Sequence, residues 1–469
     1  MNVKQLRALG VPPGDATRAA LAFISQFCIA GNPKSEIASA VEAVIRNPAA
    51  FLEDPLRGPF ALALQNVPTF SPGNAPWRQW GSGLEPQSID QMARACQLPV
   101  AVAGALMPDA HFGYGLPIGG VLATDNAVIP YAVGVDIACR MKLTVLDWPV
   151  SALNERREAL VRAIEGETRF GIGAKFQQRR EHEVMDADWN VSRLTRTHRD
   201  RAWSQLGTSG SGNHFVEFGV LTVHADASNG APGLNLAPGE YLALLSHSGS
   251  RGTGAAVCDY YSKLATELHP ELPREFQRLA WLSLDSPEGQ EYWAAMELMG
   301  RYAAANHALI HRHIASHLGA TVLADVENHH NFAWKERHII DGAEREVVVH
   351  RKGATPAHPG VLGVIPGSMA SPGFVVRGKG GPGSLGSASH GAGRAMSRTR
   401  AFEIFDWKTV RPLLEERQVH LISAGLDEVP GVYKDIHQVM AAQQDLVEVL
   451  AAFHPRLVKM AQAGERAED

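Results

Sequence analysis

The chain has 469 residues, with 44 Lys or Arg against 49 Asp or Glu and a formal net charge of −5. A balance this close to neutral excludes nucleic-acid binding through bulk charge, so such a partner would have to meet a local basic surface. Hydrophobic residues make up 45%, enough for one large or two ordinary cores without disulfides, and the scattered Cys28, Cys96, Cys139 and Cys258 fit a reducing cytoplasm, where the protein is expected.

Met1 to Gly10 lacks a basic stretch followed by an apolar run. No later segment approaches the ~20 apolar residues of a spanning helix, so no membrane association is expected. Residues 1–75 read as a helical N-terminal extension. Asp15 is placed as the cap of a helix over Ala16 to Cys28 and Ser35 as the cap of one over Glu36 to Asn47, closed by Pro48. A Pro and Gly cluster, Pro68 to Pro76, then separates this front from residues 76–469, which carry the chemistry.

From Pro99 to Leu146, apolar runs at Val121 to Ala123, Val128 to Val135 and Met141 to Leu146 alternate with turns in a strand-and-loop rhythm. Helices are predicted over Ser151 to Glu165 and, with an apolar stripe from Trp293 to Ile310, over Glu288 to Leu318. The arginine-rich piece between them, Phe170 to Arg201, reads as a solvated surface in preference to an RNA-facing one. Short strands are expected at Thr321 to Asp325, Glu346 to Val349 and Gly373 to Val376. A late helix over Asp435 to Phe453 follows, with Pro455 as its interruption.

Between His350 and Arg400 there is no Asp or Glu, yet there are seven Lys or Arg and a dozen glycines. Bare backbone N–H groups and fixed positive charge suit the phosphates of a nucleotide. Within this stretch His390 is flanked by Ser387, Ser389, Gly391 and Gly393 as donors and by Arg394 and Arg398 as forked cations. Spacing alone leaves open whether His390 is a nucleophile toward phosphorus or a donor to phosphate.

A second set of residues suits a metal. Asp136 and Cys139 stand three apart after the Gly134 turn, a spacing shared by a chelate and by an ordinary buried cysteine. His214, His247 and His330 sit in Gly- or Asn-rich turns, and with Asp136 and Cys139 they suffice for two open metal positions. His307 and His311, or His313 and His317, stand four apart and so share a helix face, but no acidic base accompanies them, and they read as structural.

Eight motifs occur in order: Met-Pro-Asp-Ala-His from Met107, Gly-Leu-Pro-Ile-Gly-Gly from Gly115, Val-Gly-Val-Asp-Ile-Ala-Cys from Val133, and Gly-Ser-Gly-Asn-His-Phe-Val-Glu from Gly210, followed by His-Ser-Gly-Ser-Arg-Gly from His247, His-Arg-Lys-Gly-Ala-Thr from His350, Ile-Pro-Gly-Ser-Met from Ile365, and His-Gly-Ala-Gly-Arg from His390. Together they resemble the RtcB family of RNA-splicing ligases, from about residue 77 to about 460.

The resemblance implies an α+β fold: a single large catalytic domain with mixed β-sheets and surrounding helices around a central metal and nucleotide cleft. It implies a GTP- and Mn²⁺-dependent ligase that joins RNA 3′-phosphate or 2′,3′-cyclic phosphate ends to 5′-hydroxyl ends in tRNA splicing or RNA repair. His390 would carry GMP and Asp109 would orient it. Asp136, Cys139, His214, His247 and His330 would hold two Mn²⁺ ions, with Cys139 bridging. Asn213, Phe215, Glu217, Asn331, Pro366, Gly367, Ser368, Met369, Gly391, Ala392, Gly393 and Lys459 would line the nucleotide pocket. Arg251, Arg394 and Arg398 would meet RNA phosphates. An archease-like activator is an expected partner, and the chain is expected as a monomer or weak dimer.

Three departures from the family pattern stand out: Met460 and a polar tail follow Lys459, Ala138 and Arg140 flank Cys139 where glycines are usual, and the helical front has no counterpart in short-form members. The alternative function is a metal-dependent RNA cyclic phosphodiesterase or phosphatase without ligation, which would have no use for a nucleophilic His390.

Overall fold

The computed structural model describes residues 1–12, 14–66, 69–224 and 234–462. Pro68, the start of the predicted linker, and the tail 463–469 lie outside the described residues. Two compact units are present. One comprises Met1–Pro72 together with Ser262–Trp281, and the other comprises Gly73–Tyr261 and Leu282–Asp469. The helical unit thus takes in a segment from the middle of the chain that sequence reading assigned to the large domain.

In the helical unit, Asp15–Ile29, Ile37–Arg46 and Gly58–Gln65 are α-helices whose apolar faces meet around Phe23, Phe27, Val41, Val44 and Phe60. Asp15 does not cap its helix. Gly14 is the N-cap and Asp15 lies in the first turn, where its charge suits the helix N-terminus. Ser35 likewise falls in a short 3-10 turn, Lys34–Glu36, ahead of its helix.

The large unit is an α+β assembly. Among the described residues it holds an eight-stranded sheet in the spatial order Leu362–Ile365, Gly373–Gly378, Val447–Met460, Phe215–Val223, Gly239–Ser248, Arg140–Leu146, Val322–His329, with His420–Ser423 also paired to Val447–Met460. One face packs Val216, Phe218, Leu242 and Leu244 against Ile310 and Ile314 of the long helix Pro287–Leu318 and against Leu160 and Ile164 of Arg157–Glu167. The other face buries Met141, Leu143, Val145, Leu245 and Val375. The predicted helix stripe is therefore core.

A five-stranded sheet, in the order Trp77–Gln79, Ala101–His111, Ile118–Thr124, Ala343–Lys352, Asn331–Ile340, forms the second layer. No helix of the described residues is long and apolar enough to cross a membrane.

Two predicted elements change type. Within Val128 to Val135 only Val128 ends a strand, and Pro130–Val133 is a helical turn that Gly134 closes at φ 107°. Asp435 to Phe453 is helical only over Ile436–Ala441, after which Val447–Met460 runs as a strand between two neighbours. A strand flanked on both sides reads as an unbroken apolar run, which periodicity does not separate from a buried helix. Pro455 sits where the register with Phe215–Val223 slips, between Pro455 and Leu457, a bulge that tolerates a residue without an N–H.

Candidate active site

The sheet register gathers the candidate metal ligands. His247 pairs with Met141 on one side and Phe215 on the other, and Arg140 pairs with His329. Cys139 precedes its strand, His214 precedes its strand, and His330 follows its strand, so three neighbouring strand connections deliver these side chains to one sheet end beside His247. His330 is also the single residue between Val322–His329 of the large sheet and Asn331–Ile340 of the smaller one. The site forms where the chain passes from one layer to the other.

Distances within the cluster are short. Cys139 Sγ lies 3.1 Å from His247 Nε2 and 3.5 Å from His214 Nε2. His247 Nε2 is 3.2 Å from His330 Nε2, and His214 Nε2 is 3.0 Å from Asp136 Oδ2. Two donor triads result, Cys139–His247–His330 and Asp136–Cys139–His214, with one sulfur common to both. The Nδ1 atoms of His214 and His247 donate to the carbonyls of Ser209 at 2.9 Å and Asn213 at 3.1 Å. That fixes the tautomer and leaves both Nε2 atoms as lone-pair nitrogens turned to the cluster.

Burial lowers His247 to about 3 and holds His330 well below the ordinary imidazole value. Burial alone would raise the Asp136 carboxyl, but its contacts with His214, then Cys139 and Arg251, hold it below its usual range. The loop that carries Asp136 and Cys139 is stitched to its neighbour: Ala138 N donates to Asn331 O at 2.7 Å and His330 N to Cys139 O at 3.0 Å.

His390 stands at the edge of this cluster, its ring 4.9 Å from that of His330. It follows the short strand Ser387–Ser389, which pairs with Ala354–Pro356. Its Nδ1 is 2.7 Å from Oδ2 of the fully buried Asp109, and the same oxygen accepts from His390 N at 3.1 Å and Gly391 N at 3.3 Å. Burial would raise the Asp109 carboxyl, but His390, Lys434 and His111 outweigh it and keep it low and ionised. A carboxylate on Nδ1 leaves Nε2 as the nitrogen with a free lone pair, an arrangement that suits imidazole to act as a nucleophile or as a general base. Gly393 is required by the close approach: it sits at φ +73°, and a Cβ there would lie 2.1 Å from Asp109 O.

A cleft opens beside His247, His330 and His390. Asn213, Phe215, Glu217, Pro366, Gly367, Ser368, Met369, Gly391, Ala392 and Gly393, which the resemblance assigned to a nucleotide, line it together with Arg394, which it assigned to RNA phosphate. His111, Ile118, Met141, Glu428 and Tyr433 also line it and were missed. His111 had a signal, since it closes the same motif as Asp109, whereas Glu428 and Tyr433 lie outside every motif. Burial pushes Glu217 well above the usual carboxylate range.

Four expected positions are placed otherwise. Lys459 points from its strand toward the Phe170 ring, 5.7 Å away, while its neighbours Val458 and Met460 face the cleft, because successive strand residues alternate. Asn331 acts as a clamp beneath the metal loop, donating to Asp136 O at 3.2 Å and accepting from Gly353 N at 2.8 Å. Arg251 is 2% exposed and bonds Thr208 Oγ1 at 3.3 Å, so it backs the cluster and does not present a surface. Arg398 bonds Asp427 at 2.8 Å and also Glu428. Arg394, although at the cleft, donates to Asp427 O at 2.9 Å and lies 3.5 Å from Glu428.

This pairing extends over the acid-free stretch. Arg351 forks onto Glu336 at 2.6 and 3.0 Å, and Arg377 meets Glu448 at 2.6 Å. The third group of possible ligands, Glu336, His338 and His358, already shares its carboxylate with Arg351, and reads as an ion-pair network.

Taken together, the layers and the site define an α+β protein built around a held imidazole beside two triads of metal-type donors that share one sulfur. The chain belongs to the RtcB family: the family profile described as tRNA-splicing ligase RtcB matches residues 91–460. It is 32% identical over 409 residues to the RNA-splicing ligase RtcB of Escherichia coli K12, covering 80% of this chain and 95% of that one. It is 31% identical over 424 residues to the tRNA-splicing ligase RtcB of Methanococcus maripaludis, covering 76% and 87%. With the RNA-splicing ligase RtcB of Mycobacterium tuberculosis it shares 31% over 428 residues, covering 78% and 98%.

Proposed function

We propose that the protein is a GTP- and Mn²⁺-dependent RNA ligase that joins 3′-phosphate or 2′,3′-cyclic phosphate ends to 5′-hydroxyl ends, in tRNA splicing or RNA repair. The observation that carries this reading is the Asp109–His390 pair set against the Cys139-centred cluster. A hydrolase that only opens cyclic phosphates would use this imidazole as a general base and would not carry a covalent guanylate on it.

His390 Nε2 attacks the α-phosphorus of GTP, forming an N–P bond as pyrophosphate leaves, while Asp109 stabilises the positive charge that develops on the ring. An oxygen of the RNA 3′-phosphate then attacks that phosphorus, the N–P bond breaks, and the imidazole is restored with GMP joined to the RNA end. Finally the 5′-hydroxyl attacks the RNA 3′-phosphorus and GMP departs. A cyclic phosphate is first opened by water to the 3′-phosphate.

The thiolate, imidazole and carboxylate donors fit borderline divalent ions, and Asp136, Cys139, His214, His247 and His330 would hold them, supplying charge stabilisation to the phosphoryl oxygens. Glu217 in the cleft suits the N–H edge of guanine, which would favour its charged form and select GTP over ATP. An archease-like activator is the expected protein partner.

The test is incubation with radiolabelled GTP and Mn²⁺. Covalent label on the wild type and none on His390→Ala supports the ligase. Absence of label on the wild type, with cyclic-phosphate opening retained, supports the hydrolase.

A further inference from the structure

The hairpin that carries Asp109 and His111 ends in a tip to which the proposed chemistry gives no role. Its strands, Ala101–His111 and Ile118–Thr124, close at the His111–Ile118 pair, and both residues line the cleft. Ile118 lies beside the reacting ring, since a Cβ built on Gly353 would be 2.3 Å from Ile118 Cγ2 and 3.2 Å from His390 Cε1.

At the tip, Phe112 and Tyr114 are 53% and 54% exposed. The backbone beneath them is held at three points. Glu85 Oε2 accepts from Phe112 N at 2.7 Å, and Gly113 exchanges hydrogen bonds of 3.0 and 2.6 Å with the Gln91 amide. Lys352 Nζ donates to Tyr114 O. Rings on a pinned backbone have little left to lose in ordering when a flat partner arrives.

We propose that Phe112 and Tyr114 form a stacking platform for unpaired bases of the RNA strand whose 3′-phosphate is engaged at His390, an inference that rests on the ligase reading above. A nucleotide with its phosphate at His390 lies beside the His111–Ile118 pair, and Phe112 and Tyr114 are exposed rings in the turn that this pair closes. Arg394 and Arg398 are tied to Asp427 and Glu428, so the hold on the strand falls to another kind of contact. Stacking supplies it without sequence preference, because every base has a π face.

The experiment uses the full chain with Phe112→Ala, Tyr114→Ala, and the ring-retaining Phe112→Tyr and Tyr114→Phe. The KM for the 3′-phosphate RNA in joining should rise roughly tenfold for each ring removed, with kcat little changed, and return in the ring-retaining variants. Single-stranded RNA with 2-aminopurine at its 3′ nucleotide should be quenched by the wild type and released from quenching in the alanine variants. Covalent labelling by GTP without RNA reports that each variant is folded.

Wild-type KM and quenching in alanine variants that still label would overturn the platform and leave the ligase intact, as would a platform that docks a protein surface, which leaves the RNA fluorescence unaltered. A wild type that neither labels nor joins would instead sink the ligase reading. The fluorescence arm then decides the platform alone, with ring-dependent quenching sustaining it and its absence ending it.

Discussion

Ala138 occupies the left-handed region at φ 58° and is fully buried, a conformation that glycine adopts more readily than any residue with a Cβ. A side chain there costs about 1–2 kcal/mol. Ala138→Gly should therefore raise the unfolding free energy by about 0.5–1 kcal/mol after the entropic cost of glycine is subtracted, read as a higher urea midpoint.

Cys139 serves both donor triads, so Cys139→Ala should weaken manganese at both positions together, by at least roughly 10–100-fold in calorimetric titration. Asp109→Asn keeps the shape but loses the charge that fixes the ring of His390. GTP labelling should slow by roughly 10²–10⁴-fold at unchanged metal affinity.

His350 gives a pH dependence. Buried in the smaller sheet, its Nε2 accepts from Ile129 N at 2.9 Å and its Nδ1 donates to Leu122 O at 3.1 Å. Burial, partly opposed by the backbone bonds, lowers it to about 4. Between that value and the unfolded ~6.5 the unfolded chain binds the extra proton, so stability rises with pH through this window and is lost as pH falls, by about 3 kcal/mol in all. His350→Gln should flatten this part of a stability-against-pH curve measured in denaturant.

At the scale of elements, the long helix Pro287–Leu318 and the strand Arg140–Leu146 were legible, because each carries a clean period and clear end signals. The cluster of Asp136, Cys139, His214, His247 and His330 was legible as residue types in tight turns, although only the sheet register shows why they meet. Val447–Met460 was not legible as a strand, since its covered flanks erase the alternation that marks an edge. Its centre is tightly fitted: a Cβ on Gly219 would lie 2.3 Å from His454 O and 2.6 Å from Phe453 Cζ. Gly219→Ala should thus destabilise the large unit by about 1–3 kcal/mol, seen as a lower thermal midpoint.

For the whole molecule, contacts far apart in the chain account for what sequence reading missed. The seven cations of the acid-free stretch suggested an open anion site, but partners such as Glu336, Glu448, Asp427 and Glu428 reach them from outside it. Ser262–Trp281 shows the same limit, because nothing local marks it as part of the helical unit. There Phe276 meets Phe70, with ring centroids 4.6 Å apart. A chain beginning at residue 73 should expose this segment, and limited proteolysis should then cut within Ser262–Trp281, where the full chain resists.

The strand Val447–Met460 lies between two others in the large sheet yet follows all of them in sequence. During synthesis the seam between Gly373–Gly378 and Phe215–Val223 therefore stays open until residue 460 has been made. Loop closure over more than two hundred residues makes the last step slow, and a nascent chain halted earlier has an open seam in place of a catalytic floor.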